Sequence, residues 1–324
     1  MNTIKITKID NIATEQHDPS IIDSHTVNIF GKDIEILKPC NLNIFITNRC
    51  HNSCYFCINK ESNKIDELSD IEFGETLEIL LKEISGKGFE ITLTGGEPTL
   101  LPKRFCIAME LCHKYNLPCR TISTTGIGVF SKVRGIPIYQ HMIENEFTHN
   151  ISISRMHYLN DINDKILGAK NIKNSKIFYL SEFFKMHGAE LRISCNLIPG
   201  YIDNFEEFTN FSKFYMESGV DSVLFRQLIL PSPLFSISEA MIFYNIAEAI
   251  KTNTQYKLVE KIDNSIYYIH IFIKDDYLVK IYVNKFKSPI IGSFAFKDGI
   301  FADNFSGENI KIDLRRYVYD KNRH

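Results

Sequence analysis

Between residues 41 and 228 the hydrophobic period of the chain switches repeatedly between two and about 3.6, and this alternation limits the fold more than any other feature. Strand candidates are NLNIFIT (41–47), FEITLT (89–94), CRTIST (119–124), NISIS (150–154), ELRISCNLI (190–198) and DSVLFRQL (221–228). Helical spacing separates most of them. In 70–85, Phe73, Leu77, Leu80, Leu81 and Ile84 share one face, and Gly86 and Gly88 punctuate its end. Runs 103–115, 176–188 and 204–219 read as further helices, the last with Phe205, Phe208 and Tyr215 facing one way. A less regular stretch containing Gly135 and Pro137 lies between the third and fourth strands. A strand that returns in the same direction needs a crossover, and the crossover helix covers the sheet it leaves. The expected class is therefore α/β with parallel strands. Whether the sheet closes is not fixed by alternation, but in either case ligands gather where strands end and loops emerge.

The flanks have a different texture. Residues 1–40 suggest an extension with a short hairpin, TVNIF followed by GKDIEIL. After Pro231 and Pro233 come a helix candidate, ISEAMIFYNIAEAI, and alternating runs SIYYIHIFI, YLVKIYV and SFAF, a β-rich appendage. The expected organisation is 1–40 extension, 41–230 core and 231–324 appendage. With 37 basic and 39 acidic side chains and no long basic run, a broad nucleic-acid footprint is not expected. No uninterrupted apolar run approaches the ~18 residues of a membrane span. MNTIKITKIDN alternates polar and apolar residues, unlike a secretory signal, so a cytoplasmic location is expected.

In a reducing compartment, clustered cysteines bind metal or do chemistry more often than they form disulfides. Three of the eight lie in the stretch ITNRCHNSCYFC: Cys50, Cys54 and Cys57, spaced C-x3-C-x2-C on the loop after the first strand. Thiolates are soft ligands, suited to zinc or to iron–sulfur clusters. A structural zinc wants four protein ligands. The nearest fourth is His51, with His113 or His157 as distant alternatives, and no second C-x2-C is present. A [4Fe–4S] cubane on three cysteines would instead leave one iron open to a small molecule. Cys40, Cys106, Cys112, Cys119 and Cys195 are scattered among apolar neighbours and read as small buried hydrophobes.

The three-cysteine motif with the aromatic Phe56 before its last member, followed by T-G-G-E-P at 94–98, resembles the radical S-adenosylmethionine (radical SAM) superfamily. The resemblance covers about residues 41–228 and implies a partial (β/α)6 barrel of parallel strands. It implies that Cys50, Cys54 and Cys57 hold a [4Fe–4S] cluster whose open iron chelates S-adenosyl-L-methionine (SAM). Reductive cleavage of SAM would then yield a 5′-deoxyadenosyl radical that abstracts hydrogen from substrate.

The resemblance also distributes roles around the rim. Gly95, Gly96, Glu97 and Pro98 fall at the methionine end of SAM. Glycines permit close backbone approach, and Glu97 would either accept from the ammonium or anchor a loop. Thr125, or Ser123, would reach the cofactor from the third strand unless both are ordinary turn residues. Ser152 and Ser154 share one face of the fourth strand and would meet the ribose. Arg155 would approach the SAM carboxylate, its alternative being a surface salt bridge. NLIPGYID (196–203) is similar to the family's G-x-I-x-G-x-x-E segment. Ile198 and Gly200 match, while Asn196 and Asp203 stand in place of the first Gly and the Glu. The resemblance thereby implies Ile198 as an adenine contact.

Strand five presents Arg192, Ser194 and Asn196 on one face and Ile193, Cys195 and Leu197 on the other, and the polar set suits a lumen. Arg226 lies within an apolar strand and needs a partner, either a substrate anion or an internal carboxylate. Arg192 and Arg226 are the candidate catalytic residues.

The pattern is nearest the branch of molybdopterin-precursor cyclases and antibiotic-pathway relatives, but no further cysteine cluster follows Cys195 for a second iron–sulfur centre. A small polar substrate, nucleotide or sugar-like, is expected, with a reductant such as flavodoxin or ferredoxin as partner. The alternatives are a single-cluster peptide-modifying enzyme whose tail offers an edge strand, and a zinc- or cluster-stabilised binding module.

Overall fold

A computed structural model describes residues 23–321 apart from 58, 60–65, 67, 148–149, 228–245, 247, 251, 254, 264–266, 275–276, 285–290 and 304–309. The helix candidate ISEAMIFYNIAEAI lies largely outside these residues.

The order begins with a hairpin, β1 (Ser24–Ile29) and β2 (Lys32–Phe45), then α1 (Asp70–Ile84), β3 (Phe89–Thr94), α2 (Pro102–Lys114) and β4 (Cys119–Thr124). A small ribbon, β5 (Lys132–Val133) with β6 (Ile136–Pro137), leads to α3 (Ile138–Glu144), β7 (Ile151–Ser154), α4 (Asn160–Leu167) and α5 (Asn174–Met186). Next come β8 (Leu191–Leu197), α6 (Phe205–Glu217) and β9 (Ser222–Gln227). The C-terminal part holds β10 (Lys257–Asp263), β11 (Tyr267–Lys274), β12 (Tyr277–Asn284), β13 (Ile291–Lys297), β14 (Ile300–Asp303), β15 (Lys311–Asp313) and α7 (Arg315–Lys321).

All six expected core strands form and pair in parallel in the order β2-β3-β4-β7-β8-β9. Among the described residues no ladder joins the two ends of the sheet, which is consistent with a partial barrel. β2 runs without interruption through residue 40, and the appendage strands join the same sheet on both sides. β12 pairs with β9 and β13 with β2, both in parallel. The boundaries expected at 40 and 230 therefore do not coincide with a break in the sheet.

Strand alternation sorts the side chains. Leu42, Ile44, Ile91, Leu93, Ile122, Ile151, Ile153, Ile193, Cys195, Val223 and Phe225 are buried in the main core under the helices. Phe225, for instance, packs on Phe208 and Phe211 of α6, with ring centroids 4.4 and 5.4 Å away. Helix α1 starts on a capping box, Ser69 with Glu72, which satisfies two otherwise orphaned N–H groups. It then buries Phe73, Leu77, Leu80, Leu81 and Ile84, the face expected from its spacing. The opposite face of the strands is mostly polar, with Phe45 and Leu224 as apolar members. It carries Asn41 and Asn43, Thr92, Thr121 and Ser123, Ser152 and Ser154, Arg192, Ser194 and Asn196, Ser222 and Arg226. A sheet apolar outside and mostly polar inside suits a concave surface that receives a hydrophilic guest.

The scattered cysteines follow the bland expectation. Cys40, Cys106, Cys112 and Cys195 are buried and Cys119 is half-buried. Burial pushes the Cys106 thiol up to about 11 and raises Cys112, Cys119 and Cys195 as well, so these thiols stay protonated.

Candidate functional site

The cysteine loop leaves the C-terminal end of β2 and is gripped from two sides. On one side the backbone after β3 runs against its base. Ile46 N donates to Thr94 O (3.0 Å), Gly96 N to Thr47 O (2.8 Å) and Glu97 N to Arg49 O (2.8 Å). A Cβ on Gly95 would sit 2.5 Å from Thr47 O, and one on Gly96 2.2 Å from Arg49 O. The two glycines therefore let two segments of the backbone approach each other, which the sequence had suggested only for backbone and ligand. Gly96→Ala is expected to destabilise the fold by about 1–3 kcal/mol, the range for overpacking. It should also lower iron retention after anaerobic reconstitution, checked by urea unfolding and iron assay. Wild-type values for both would mean that the close approach is unimportant.

Asp66 secures the same base. It accepts from Thr47 Oγ1 (2.7 Å), Asn48 N (2.7 Å) and Arg49 Nε (3.2 Å). The other grip is the C-terminal end of α4, an element absent from the sequence expectation. Ser53 N donates to Leu167 O (3.0 Å), and the Cys54 thiol lies 3.7 Å from the same carbonyl. Gly168, at φ 73°, ends the helix left-handed where a Cβ would meet Ser53 Oγ at 2.1 Å. Asn171 exchanges amide hydrogen bonds with Asn52, each 3.2 Å, and meets His51 Nε2 at 3.1 Å.

So held, Cys50 and Cys54 are half-buried and Cys57 is exposed. Among the described residues no three Cys, His, Asp or Glu side chains converge as ligands of one metal ion. Three thiols on one loop fit a cluster whose irons take one thiolate each.

Glu97 is fully buried. One carboxylate oxygen accepts from Thr99 N (3.1 Å), Thr99 Oγ1 and Thr124 Oγ1, the other from Thr125 N (2.6 Å) and Thr125 Oγ1 (2.8 Å). Of its two expected roles the geometry displays loop anchoring: Glu97 ties the end of β3 to the end of β4. Thr125 is its partner, and Pro98 is buried at the start of the 98–100 turn beside it.

Arg155 is fully buried, which replaces the surface salt bridge considered for it. Nε donates to Tyr215 Oη (3.1 Å), Nη1 to Ile172 O (2.9 Å) and Nη2 to Asn160 Oδ1 (3.0 Å). Three of its five N–H donors are thus committed to neutral acceptors. Next to it, burial and the Arg155 charge depress the pKa of His157, whose Nε2 lies 4.0 Å from Glu207 Oε2.

Arg192 reaches sideways across the inner face. Nη1 donates to Asn150 Oδ1 (3.0 Å), Nη2 to Thr121 Oγ1 (3.0 Å), and Nε lies 3.4 Å from Ser152 Oγ. Ser154 stands one pleat above Ser152, beside Ser194 in register. Arg226 is opposite Asn196, nearer the rim.

Phe56 and Ile198, which the resemblance places at the cofactor, are brought together from distant parts of the chain. With Met156, Ile166 and Leu167 they form an apolar cluster separate from the main core, and Cys54 packs against it. Asp66, Asn171, Glu207 and helix α4 had not been expected at the site. Their partners lie 17 to 120 residues away along the chain, where no local pattern reports them.

A family model described as the radical SAM superfamily matches residues 44–214. No curated protein matches the sequence. Among solved structures, Streptococcus suis SuiB bound to its precursor peptide SuiA aligns with a TM-score of 0.51 at 16% identity, over 67% of this chain and 47% of that one. The anSMEcpe enzyme with bound AdoMet and Cp18Cys peptide gives 0.46 at 19% identity, over 64% and 59%. Methylornithine synthase (PylB) gives 0.42 at 18% identity, over 67% and 65%. This chain spans less than half the length of the SuiB chains it matches. With the family match running from the end of β2 into α6 and the three thiols at the mouth of the parallel sheet, the chain belongs to the radical SAM superfamily.

Proposed function

We propose that this radical SAM enzyme acts on a small polar molecule, nucleotide or sugar-like, held against the inner face of the sheet. Its superfamily binds SAM and a [4Fe–4S] cluster, and membership sets aside the binding-module alternative. The observation that carries the substrate class is the polar inner face. Hydroxyls from Thr121, Ser152 and Ser194 stand with Asn196, Arg192 and Arg226, with Leu224 apolar among them, where a peptide-sized apolar groove would need more large hydrophobic side chains.

Cys50, Cys54 and Cys57 would hold the cluster, which with SAM bound supplies one-electron cleavage and a hydrogen-abstracting radical. The protein's part is positional. Phe56 and Ile198 offer an apolar bed for the adenine, and Ser152 and Ser154 offer hydroxyls for the ribose. Gly95, Gly96, Glu97, Pro98 and Thr125 set the position of the cysteine loop against the ends of β3 and β4. The two remaining N–H donors of Arg155 suit the SAM carboxylate. Arg192 and Arg226 orient substrate. Electrons would come from a flavodoxin or ferredoxin.

A peptide substrate has one supporting feature, the edge strand β10, where Leu258 and Val259 are exposed. The ladder there is broken by a register shift between Leu258 and Glu260, and Lys257, Glu260 and Lys261 line the strand. Bulges and charges of this kind protect an edge from pairing, which weighs against peptide addition. Among the described residues no helix is long and apolar enough to cross a membrane.

The test is anaerobic incubation of reconstituted protein with reductant and SAM, scoring 5′-deoxyadenosine with and without nucleotides, sugar phosphates or peptides. Stimulation by a small polar compound is expected. Stimulation by peptides alone would overturn the substrate class.

A further inference from the structure

Lys280 is a half-buried cation on β12, a strand that sequence reading placed in the appendage. β12 extends the parallel sheet beyond β9, with Lys280 in register with Leu224 and Tyr282 with Arg226. Its neighbours Tyr277 and Val279 are buried on the α6 side, where they share a small cavity with Ser212 and Met216. Strand alternation therefore turns Lys280 to the opposite, inner face, the face of Arg192, Ser194 and Arg226. Lys280 and Arg226 are diagonal neighbours on adjacent strands, a separation that long side chains bridge. Lys280 and Arg192 are close enough to repel each other. Lys280 itself makes no hydrogen bond or ion pair among the described residues.

We propose that Lys280 and Arg226 form an oxyanion subsite on the inner face of the sheet that receives a phosphate or carboxylate group of the substrate, with the charge of Arg192, whose donors turn toward β7 and β4, adding to the positive field. The subsite deepens the function proposed above and rests on it for the identity of the guest as substrate. A half-buried ammonium beside one arginine and within the field of another bears a repulsive cost, and sites that bear such a cost are where function resides. Ser194 and Asn196 on the adjacent strand supply neutral donors beside the charges. Burial, then the Arg192 charge, depress the Lys280 ammonium to about 8, against a smaller opposing effect from Glu190 and Glu260. A bound oxyanion favours the ammonium and raises that value, so binding is strong below about pH 8 and fades above it as Lys280 loses its proton.

The experiment uses the full reconstituted chain, with inorganic phosphate and acetate as probes and site-resolved acylation of Lys280 at about pH 8 as readout. A rise of one pKa unit or more takes the free-amine fraction from about a half to below about a tenth, slowing acylation at least about fivefold. Protection by phosphate alone identifies a phosphate ester as the substrate class; protection by acetate alone identifies a carboxylate. Lys280→Met is expected to melt higher than wild type below pH 8 and to lose phosphate-induced stabilisation, while Lys280→Arg keeps that stabilisation. Acylation indifferent to both probes, in protein that still forms 5′-deoxyadenosine, overturns the subsite and leaves the enzyme class standing. Protection by SAM alone equal to that by phosphate would reassign these cations to the cofactor and overturn the substrate role. Protein that protects Lys280 but never cleaves SAM would retain the subsite and sink the proposed function.

Discussion

Cys54→Ala is expected to reduce 5′-deoxyadenosine formation to the level of iron-free protein. Under the proposed ligand set, two thiolates would not hold a cubane that three secure, and the lost group would be a direct ligand of iron. The drop should exceed the roughly 10–100-fold typical of outer partners of a metal site. Cys54 is also the thiol that packs against the Phe56–Ile198 cluster and lies 3.7 Å from Leu167 O, so its position is tied to α4 as well as to the loop. Iron content and SAM turnover of the variant, both measured anaerobically, check the expectation. Wild-type turnover would remove Cys54 from the ligand set.

Glu97→Ala is expected to be the most destabilising single change in this region. Thr99, Thr124 and Thr125 direct five donors at its carboxylate inside a fully buried site. Each buried donor left without an acceptor costs about 1–3 kcal/mol, so a loss of at least about 3 kcal/mol should appear in urea unfolding. Gln at the same position keeps one acceptor oxygen but turns an NH2 group toward donors, so it should fall between wild type and Ala. A loss within about 0.5 kcal/mol, the ordinary range for surface changes, would show that Glu97 does not anchor the strand ends. Its carboxylate would then be available to a ligand.

The sequence reported what depends on short-range periodicity. The six core strands, the α1 face of Phe73, Leu77 and Leu80, and the split of Arg192, Ser194 and Asn196 from Ile193 and Cys195 all follow from periods of two or 3.6 within one element. The cysteine spacing was legible because its ligands sit on a single loop. What stayed hidden depends on contacts between distant segments. Asn171 joins His51 across 120 residues and Asn43 joins Phe294 across 251, and neither pair leaves a local pattern. Helix α4 has a short, polar sequence, NDINDKIL, whose function as a stop for the cysteine loop comes from its C-terminal carbonyls rather than from an apolar stripe. Lys280 lies in an alternating run that is as consistent with a solvent-exposed hairpin as with a strand added to the core sheet. Only the parallel pairing with β9 turns it inward. Arg155 could be named from its place after a strand, but its burial follows from Tyr215, Ile172 and Asn160 closing over it.

Electron paramagnetic resonance of the reduced, anaerobically reconstituted protein, recorded before and after SAM is added, tests the open-iron cluster most directly. About four irons and four sulfides per chain are predicted, with a cubane signal that changes shape when SAM occupies the iron lacking a protein ligand. Absence of a cubane, or a signal unmoved by saturating SAM, would contradict the three-thiol site at the end of β2.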